Sequence, residues 1–594
     1  MTGIAALVEE KFRSRLEAYR IVQADIREHA GIEEAVLSGG YGYRQILELV
    51  QNGADAILEA NEQADAQRQT ARIEVALHGQ HLYVANTGAP LSTEGVDALL
   101  QSHSSPKRGN QIGRFGLGFK SLLRLGGRLD ILSRSGSLRF DPEHCKNQIR
   151  RELALDDSTP VPGLRLAWVL ERHAEEATDP VLEGYSWATT IVRAEIRNVA
   201  ITPHLQEEIR KFPAPFLLFL PVAVSLGLDA GDGAKRQLKR EPDGPDFLLF
   251  DGDEESRWRF VENAEVRITD AAAKADATHL HARELVPLAW AMPLDAKRES
   301  AGRFWAFFPT DTATRLPGIL NAPWKVNNDR NALIAGEWNN ALMREAAELI
   351  TRTLSELATE ADPGRPLDAF PRQLERQDEL AAPLVEALWD RIMAAVTIPD
   401  AQGTPRPSEE LQRPPLDDAD LQGQWRDLAP VEARGRWVHP ACLTGDRPKR
   451  LEALAERLRK AKADGLARAK ALDWFAEIAT NDPGSAGQVL ALAGHYAGKL
   501  QQWQWSKESS ELRIIPADSG RLCCPAEIVL APEGIPLPPG RESVANVLAS
   551  DAETLRLLTK VLGVKRLDDE GWRELLAQDL ASATRQDWRF KPRN

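Results

Sequence analysis

Four cysteines in 594 residues, with no CxxC pair among Cys145, Cys442, Cys523 and Cys524, supply neither a disulfide framework nor a zinc knuckle. The adjacent Cys523 and Cys524 read as strand packing in a reduced setting, which makes the cytoplasm the expected compartment. The longest apolar stretch, 213–226, is broken by prolines and too short to cross a bilayer. The amino end, MTGIAALVEEKF, is charged within ten residues, which fits a soluble helix and not a signal peptide. Basic residues are the minority, 74 Lys and Arg against 88 Asp and Glu for a net charge of −14, which excludes a generally basic nucleic-acid coat. Eleven histidines show no HExxH or other metal spacing, and no Gly-x-Ser-x-Gly elbow occurs. Fifteen tryptophans, none before Trp168, read as core and interface fillers and not as a base-stacking platform.

What is present is ordinary globular composition, 43% hydrophobic and 27% charged, in a chain too long for one core. Three to five domains are expected from that length. Ile4, Leu7, Val8, Phe12 and Leu16 recur at helical spacing and predict a helix over 1–30. A glycine turn at 38–42 leads into a second helix over 43–66. Alternation predicts a hairpin of strands 72–77 and 81–85 around Gly79-Gln80. A helix near 120–125 and strands at 129–133, 138–140, 164–170 and 189–196 complete an α+β sandwich over 1–200. Residues 201–362 read as a second, mixed α/β middle domain, with strands at 216–224 and 305–308 and a helix over 337–357. Within it the Gly-, Asp- and Pro-rich stretch 226–253 reads as an exposed excursion. Residues 363–594 read as mainly helical, as at 451–463 and 468–479. Here IPDAQG at 398–403 and IPADSG at 515–520 stand at equal distances from Glu410-Leu411 and Glu527-Ile528, a weak strand-turn repeat over 398–411 and 515–528. The tract Gln501-Gln-Trp-Gln-Trp505 reads as helix packing ahead of an exposed contact patch.

The helix over 43–66 carries Glu48, Asn52 and Asp55 at spacings of four and three, one polar stripe opposite Leu47, Val50, Ala54, Ile57 and Leu58. Carboxylate, amide and carboxylate suit a hydrated Mg²⁺ and an attacking water, because an amide oxygen can ligate the ion while a carboxylate accepts the proton. Three polar residues alone would be a solvated helix face, but their company changes the reading. Val84-Ala-Asn-Thr-Gly88 runs a strand into a turn whose glycine lets the backbone approach a flat ligand. The segment 111–121 sets Gly113, Gly116 and Gly118 before a helix, where backbone N–H groups face an anion. Its order, GxxGxG, is neither the dinucleotide fingerprint nor a Walker A loop.

With these three motifs in this order, the chain resembles the GHKL ATPases, the superfamily of gyrase, the ninety-kilodalton heat-shock chaperone, histidine kinases and MutL. Glu48-Leu-Val-Gln-Asn-Gly-Ala-Asp-Ala56 looks like the family's N-box, and 112–121 is similar to the chaperone's glycine-rich box. Gly116-Leu-Gly-Phe-Lys-Ser121 and Ser102-His-Ser-Ser-Pro-Lys107 are closest to the sacsin-like branch. The resemblance covers 40–195 well and 285–350 less specifically, and implies a Bergerat sandwich that takes ATP with Mg²⁺.

By that resemblance Glu48 would be the general base for water attack on the γ-phosphate, Asn52 would hold Mg²⁺, and Asp55 would line the pocket. Gly113, Gly116 and Gly118 would meet the phosphates, with Phe119 and Lys120 beside them, and residues 97–112 would form the lid. Asn86 and Gly88 stand at the adenine-reading box and Thr189 near the adenine. Two departures are plain: Asn86 replaces the usual aspartate, and Ala89-Pro90 stands where a second glycine is usual. The loop Trp324-Lys-Val-Asn-Asn-Asp-Arg330 looks like the one that supplies a cation from the following domain, with Arg330 as first choice for the γ-phosphate and Lys325 as reserve.

The expected activity is slow ATP hydrolysis that drives lid closure and domain rearrangement, in chaperone-like work or bacterial antiphage defence. Beyond ATP, the expected partners are a protein client that the sequence does not specify and, as in many GHKL ATPases, a second copy on nucleotide binding; no membrane and no nucleic acid is indicated. Two other readings stay open: a DNA-processing ATPase of the MutL or topoisomerase type, and a non-hydrolysing nucleotide-sensing scaffold. A histidine kinase fits least, since no His-containing hairpin precedes the N-box. Residues 101–140 hold eight basic residues and only Asp130 as an acid, a concentration that suits an internal polyphosphate site.

Overall fold

The computed structural model describes residues 3–38, 44–63, 70–100, 119–277, 285–295, 301–372, 376–532, 534–568, 571–573, 575 and 577. The fold is mixed α/β, in two units: Met1–Leu349 with Gln373–Val385, and Ile350–Arg372 with Glu386–Asn594. Among the described residues no helix is long and apolar enough to cross a membrane.

The helix expected over 1–30 is two, α1 (Gly3–Ile21) and α2 (Ala24–Ser38). The break falls where the apolar spacing lapses, since Ile21 and Val22 are exposed while Tyr19 and Ile26 are buried on either side. Next come α3 (Gln45–Gln63), the hairpin β1 (Arg72–His78) and β2 (His81–Asn86), and α4 (Thr93–Leu100). Gly79 turns that hairpin with a positive φ of 58°. A 3-10 helix, Phe119–Leu125, stands where a helix near 120–125 is expected. Then follow β3 (Gly126–Ser133), β4 (Ser137–Phe140), α5 (Pro142–Leu153), β5 (Trp168–Leu170), α6 (Arg172–Thr178), β6 (Thr190–Ile196) and α7 (Thr202–Arg210). Strand β5 covers only the end of the expected 164–170.

The stretch 216–224 is not a strand. Ala214–Phe219 forms a 3-10 helix with a proline in its first turn, and its run of buried Phe216, Leu217, Leu218 and Phe219 has no polar period to separate helix from strand. Nor is 226–253 an excursion. It folds as β7 (Ser225–Asp229), β8 (Lys235–Asp243) and β9 (Asp246–Asp251), with Leu226, Leu228, Leu238 and Leu249 in the core. Its glycines 231, 233, 244 and 252 all have positive φ and sit in the turns, which is why the composition looked like loop. The unit continues through β10 (Glu254–Val266), α8 (Ala271–Asp276), β11 (Val286–Pro293), β12 (Ala301–Ala306), β13 (Phe308–Pro317), β14 (Ile319–Asn321) and α9 (Glu337–Leu354).

These strands form one fourteen-stranded sheet in the order β13-β12-β14-β11-β10-β9-β8-β7-β1-β2-β6-β3-β4-β5. Strand β7 runs parallel to β1 on one side and antiparallel to β8 on the other, so hydrogen bonding continues from the strands of 1–200 into those of 201–362.

In the second unit Thr397–Pro399 pairs with Pro405–Pro407, and Ile515–Pro516 with Leu522–Cys523. Both hairpins turn at a glycine of positive φ, Gly403 and Gly520, and both bridge to a later segment, Asp400 to Val438 and Ala517 to Val544. Arg447–Lys460 is helical, but the expected helix 468–479 starts as a strand, Ala467–Arg468, and becomes helical only over Ala471–Ala476. Trp425, Trp437 and Trp474 pack with Phe475 and Tyr496 in the core, and the Trp425 indole donates to Trp474 O at 2.8 Å. The tract at 501–505 divides: Trp505 is buried and donates to Val561 O at 2.6 Å, whereas Trp503 is 69% exposed. All four cysteines are buried free thiols.

Candidate functional site

Helix α3 is held from several sides. Ile46, Leu47, Leu49, Val50, Ala54 and Ile57 are buried against Ile73, Val75, Leu82 and Val84 of the first hairpin, each larger side chain contributing roughly 1.5–3 kcal/mol of burial. Leu58, expected on the same face, is only half-buried. Glu48 and Asn52 are half-buried and Asp55 is buried, 3% exposed.

Two glycines bring the residues of the expected adenine box against this helix. At Gly53 a Cβ would stand 3.2 Å from Asn86 Cβ and 3.0 Å from Ile73 Cδ1, so the bare backbone admits the end of β2. Gly88 has φ +113°, and a Cβ there would lie 2.6 Å from Ala56 C, Ala56 O and Ile57 N. The next residue, Ala89, donates to Ala56 O at 2.8 Å. Asn86 is buried, and its Nδ2 donates to Thr87 O at 2.6 Å. Its carbonyl accepts from Thr189 N at 2.9 Å, which puts buried Thr189 beside it just ahead of β6. Asn86, Gly88 and Thr189 thus gather where the end of the first hairpin meets the middle of α3, the stretch that carries Asn52 and Asp55.

The amino end of α3 meets a segment far along the chain. Arg44, the residue before the helix, donates through Nη2 to Pro309 O at 2.8 Å and to Arg330 O at 3.0 Å, the latter across 286 residues. Its own carbonyl accepts from Glu48 N at 3.1 Å. Arg330 is half-buried at the end of a turn closed by its N–H to Asn327 O at 2.9 Å, with φ +55°. Lys325, the reserve cation, is committed elsewhere: its ammonium pairs with the Asp276 carboxylate and donates to Asp276 O at 3.0 Å. That bond holds the Asp276 carboxyl below its usual range.

Gly113, Gly116 and Gly118 lie outside the described residues, as does the expected lid from 101 on, while its first part, 97–100, ends α4. Phe119 and Lys120 open the 3-10 helix Phe119–Leu125, with their side chains outside the description. Of the basic stretch, three members are occupied within the fold. Arg139 is paired with Asp130 and Glu175, Arg128 with Glu195, and Arg134 donates to Ser186 O and Trp187 O. Density of charge in sequence therefore overstates what could face a polyphosphate.

Glu208, on α7, is a residue that motif reading passes over. Its Oε1 accepts from Ile46 N at 2.9 Å, while Oε2 is enclosed with no hydrogen-bond partner among the described residues, although part of the stem reaches the surface. Burial pushes the carboxyl up to about 7, against the pull of the Ile46 and Leu47 N–H groups and of Arg44; Glu48 adds to the rise. In the string Leu205-Gln-Glu-Glu-Ile209 nothing distinguishes Glu208 from exposed Glu207 except its place beside buried Leu205 and Ile209.

A cavity of about 440 Å³ lies elsewhere in this unit, lined among others by Tyr83, Asp130, Arg139, Asp179 and Arg193. It includes none of the residues expected to bind nucleotide. Arg193 there joins Asp130, Glu175 and Asp179, and Tyr83 donates to Asp179 at 2.8 Å, so its charges neutralise one another as a structural network. No family model matches the chain, and no curated protein matches it either.

Proposed function

We propose that the chain binds ATP with Mg²⁺ and hydrolyses it slowly in the manner of the GHKL ATPases. In this reading Asp55, Asn86, Gly88 and Thr189 line the base end of the pocket. Because Asn86 Nδ2 is spent on Thr87 O, its Oδ1 is the end that would accept from the adenine amino group. Gly113, Gly116 and Gly118, with Phe119 and Lys120, would surround the phosphates. Asn52 offers one amide oxygen to the ion, so phosphate and water oxygens would complete its shell. Glu48 takes the proton of the attacking water as the bond from γ-phosphorus to the β,γ-bridging oxygen breaks and ADP leaves, and the Arg330 guanidinium offsets the charge that develops.

The observation that carries this reading is the Arg44 link. It holds the loop of Arg330 at the helix turn that bears Glu48, though 286 residues separate the bonded pair. A general base and a phosphate-clamping cation from distant parts of the chain then belong to one locality, as the resemblance requires. Nucleotide turnover would act on the tie between α3 and the 324–330 loop, a conformational output suited to chaperone-like or antiphage-defence work. Calorimetric titration of ATP with and without Mg²⁺, beside a turnover assay, tests it. Glu48→Ala should keep ATP affinity within a few-fold and lose on the order of 10²–10⁴ in turnover. Equal turnover by mutant and wild type defeats the enzyme assignment.

A further inference from the structure

Among the described residues the first turn of α3 has no side-chain cap of its own. Arg44 precedes the helix, and a guanidinium cannot accept a hydrogen bond; it donates to Pro309 O and Arg330 O instead. The orphan N–H groups at such an end need an acceptor, which a neighbouring Ser, Asp or Asn ordinarily supplies. Here the acceptor arrives from α7: Glu208 Oε1 takes the N–H of Ile46, two residues before Glu48, at 2.9 Å.

Building on the ATPase reading above, we propose that Glu208 is a positioning residue of the hydrolytic centre, a cap in trans that fixes the amino end of α3 and so the angle from which Glu48 addresses the water. Two tethers then define that end of the helix, Glu208 from α7 and Arg44 to the loop of Arg330. Misplacement of a reacting group by about 1 Å costs on the order of a hundredfold in rate, so a cap two residues from the general base acts on turnover. The stripe residues Asn52 and Asp55 lie one to two turns further along, which leaves nucleotide affinity largely untouched.

The cap is also responsive to pH. The charged groups acting on Glu208 are Arg44 and Glu48, both at the start of α3. On α7 itself Glu207 pairs with Lys211 and Arg210 with Asp232, and His204 is exposed one turn earlier. Among the elements packed against α7, β7 contributes only Asp229, held by Lys235 and the Gly231 N–H, Val199–Ile201 carries no charge, and β8 brings Arg236, which donates to Ile209 O and Arg210 O and pairs with Asp251. With burial lifting the Glu208 carboxyl to about 7, the cap passes from neutral to anionic around neutrality, and the anion is the stronger acceptor at a helix amino end.

The test is Glu208→Gln in the full chain, with ATP affinity by calorimetry and kcat from about pH 6 to about pH 9. The expected result is a Kd within about twofold of wild type, kcat lower by about tenfold, and loss of an inflection near pH 7 that wild type shows. Glu208→Asp, which keeps the charge on a shorter stem, should fall between the two and retain the inflection, and it serves if the glutamine variant does not fold. Glu207→Gln is the control and should match wild type. Wild-type kcat and pH profile in Glu208→Gln overturn the proposal alone, as does a joint fall of affinity, kcat and melting temperature. A wild-type chain that neither binds nor hydrolyses ATP overturns the ATPase reading and this proposal with it.

Discussion

Gly88→Ala puts one methyl group where the structure has no room. A Cβ at 88 would stand 2.6 Å from Ala56 C, Ala56 O and Ile57 N, all backbone atoms inside α3 that cannot swing aside as a side chain can. Carbon contacts settle near 3.5–4.0 Å, so the 86–89 turn and the helix must part by about 1 Å. Parting them breaks the Ala89 N–H to Ala56 O bond of 2.8 Å, a loss of about 1 kcal/mol. The φ of +113° adds about 1–3 kcal/mol for any residue with a Cβ. Together these amount to about 2–4 kcal/mol. Gly79→Ala supplies the comparison: its φ is +58° and nothing lies within 4 Å of the added Cβ, leaving only the conformational cost of about 1–2 kcal/mol. Urea unfolding of the two full-length variants should show Gly88→Ala less stable than Gly79→Ala by about 1–3 kcal/mol. ATP affinity should fall about tenfold in the first variant only, because Asn86 moves relative to Asn52. If the two variants unfold at the same urea concentration, the close approach of turn and helix is wrong, and with it the argument for why a glycine stands there.

Arg44→Gln withdraws both guanidinium bonds to Pro309 O and Arg330 O; a loss of about 1–2 kcal/mol should lower kcat roughly tenfold while the calorimetric Kd for ATP holds, and an unchanged kcat would separate Arg330 from catalysis. Arg193→Met leaves Asp130 and Glu175 to Arg139 alone and Asp179 to the Tyr83 hydroxyl, and urea titration should register about 1.5–3 kcal/mol of destabilisation, a loss under about 0.5 kcal/mol contradicting the network. Glu208 governs a pH-dependent stability: its folded value of about 7 exceeds the ordinary 4.5, so the stabilisation is whole below pH 4.5 and is lost as pH rises through 7. Glu208→Gln should therefore gain on wild type between about pH 5 and about pH 8, by on the order of 3 kcal/mol at most, and parallel urea midpoints at the two pH values would contradict the assignment.

Helix α3 was readable because its polar stripe and apolar face follow one period, and the first hairpin because alternation and Gly79 agree. Gly88 reads in sequence as room for a flat ligand, whereas its missing Cβ admits the α3 backbone at Ala56 and Ile57. Harder cases have one of two causes, a local pattern that misleads or a deciding partner distant in sequence. Phe216–Leu220 is buried all round and so carries no period, while 226–253 spends its glycines on hairpin turns that resemble an unstructured loop. Arg128 and Arg139 look available until Glu195, Asp130 and Glu175 come alongside. Lys325 seems a phosphate ligand until Asp276 claims it. Glu208 is silent in sequence because a cap in trans leaves no local spacing.

The distance between Arg44 and its carbonyl partners also sets an order of birth. At about 5–20 residues per second, ribosomal synthesis delivers Arg330 some 15–60 s after Arg44. Throughout that interval the helix with Glu48 lacks its tether, and until residue 208 emerges it lacks its cap. Strand β1 likewise waits for β7, its parallel neighbour. A nascent chain could therefore carry the whole ELVQNGADA helix without the means to orient it, so the site would come into being late, when the last partner arrives, and not when the motif is translated.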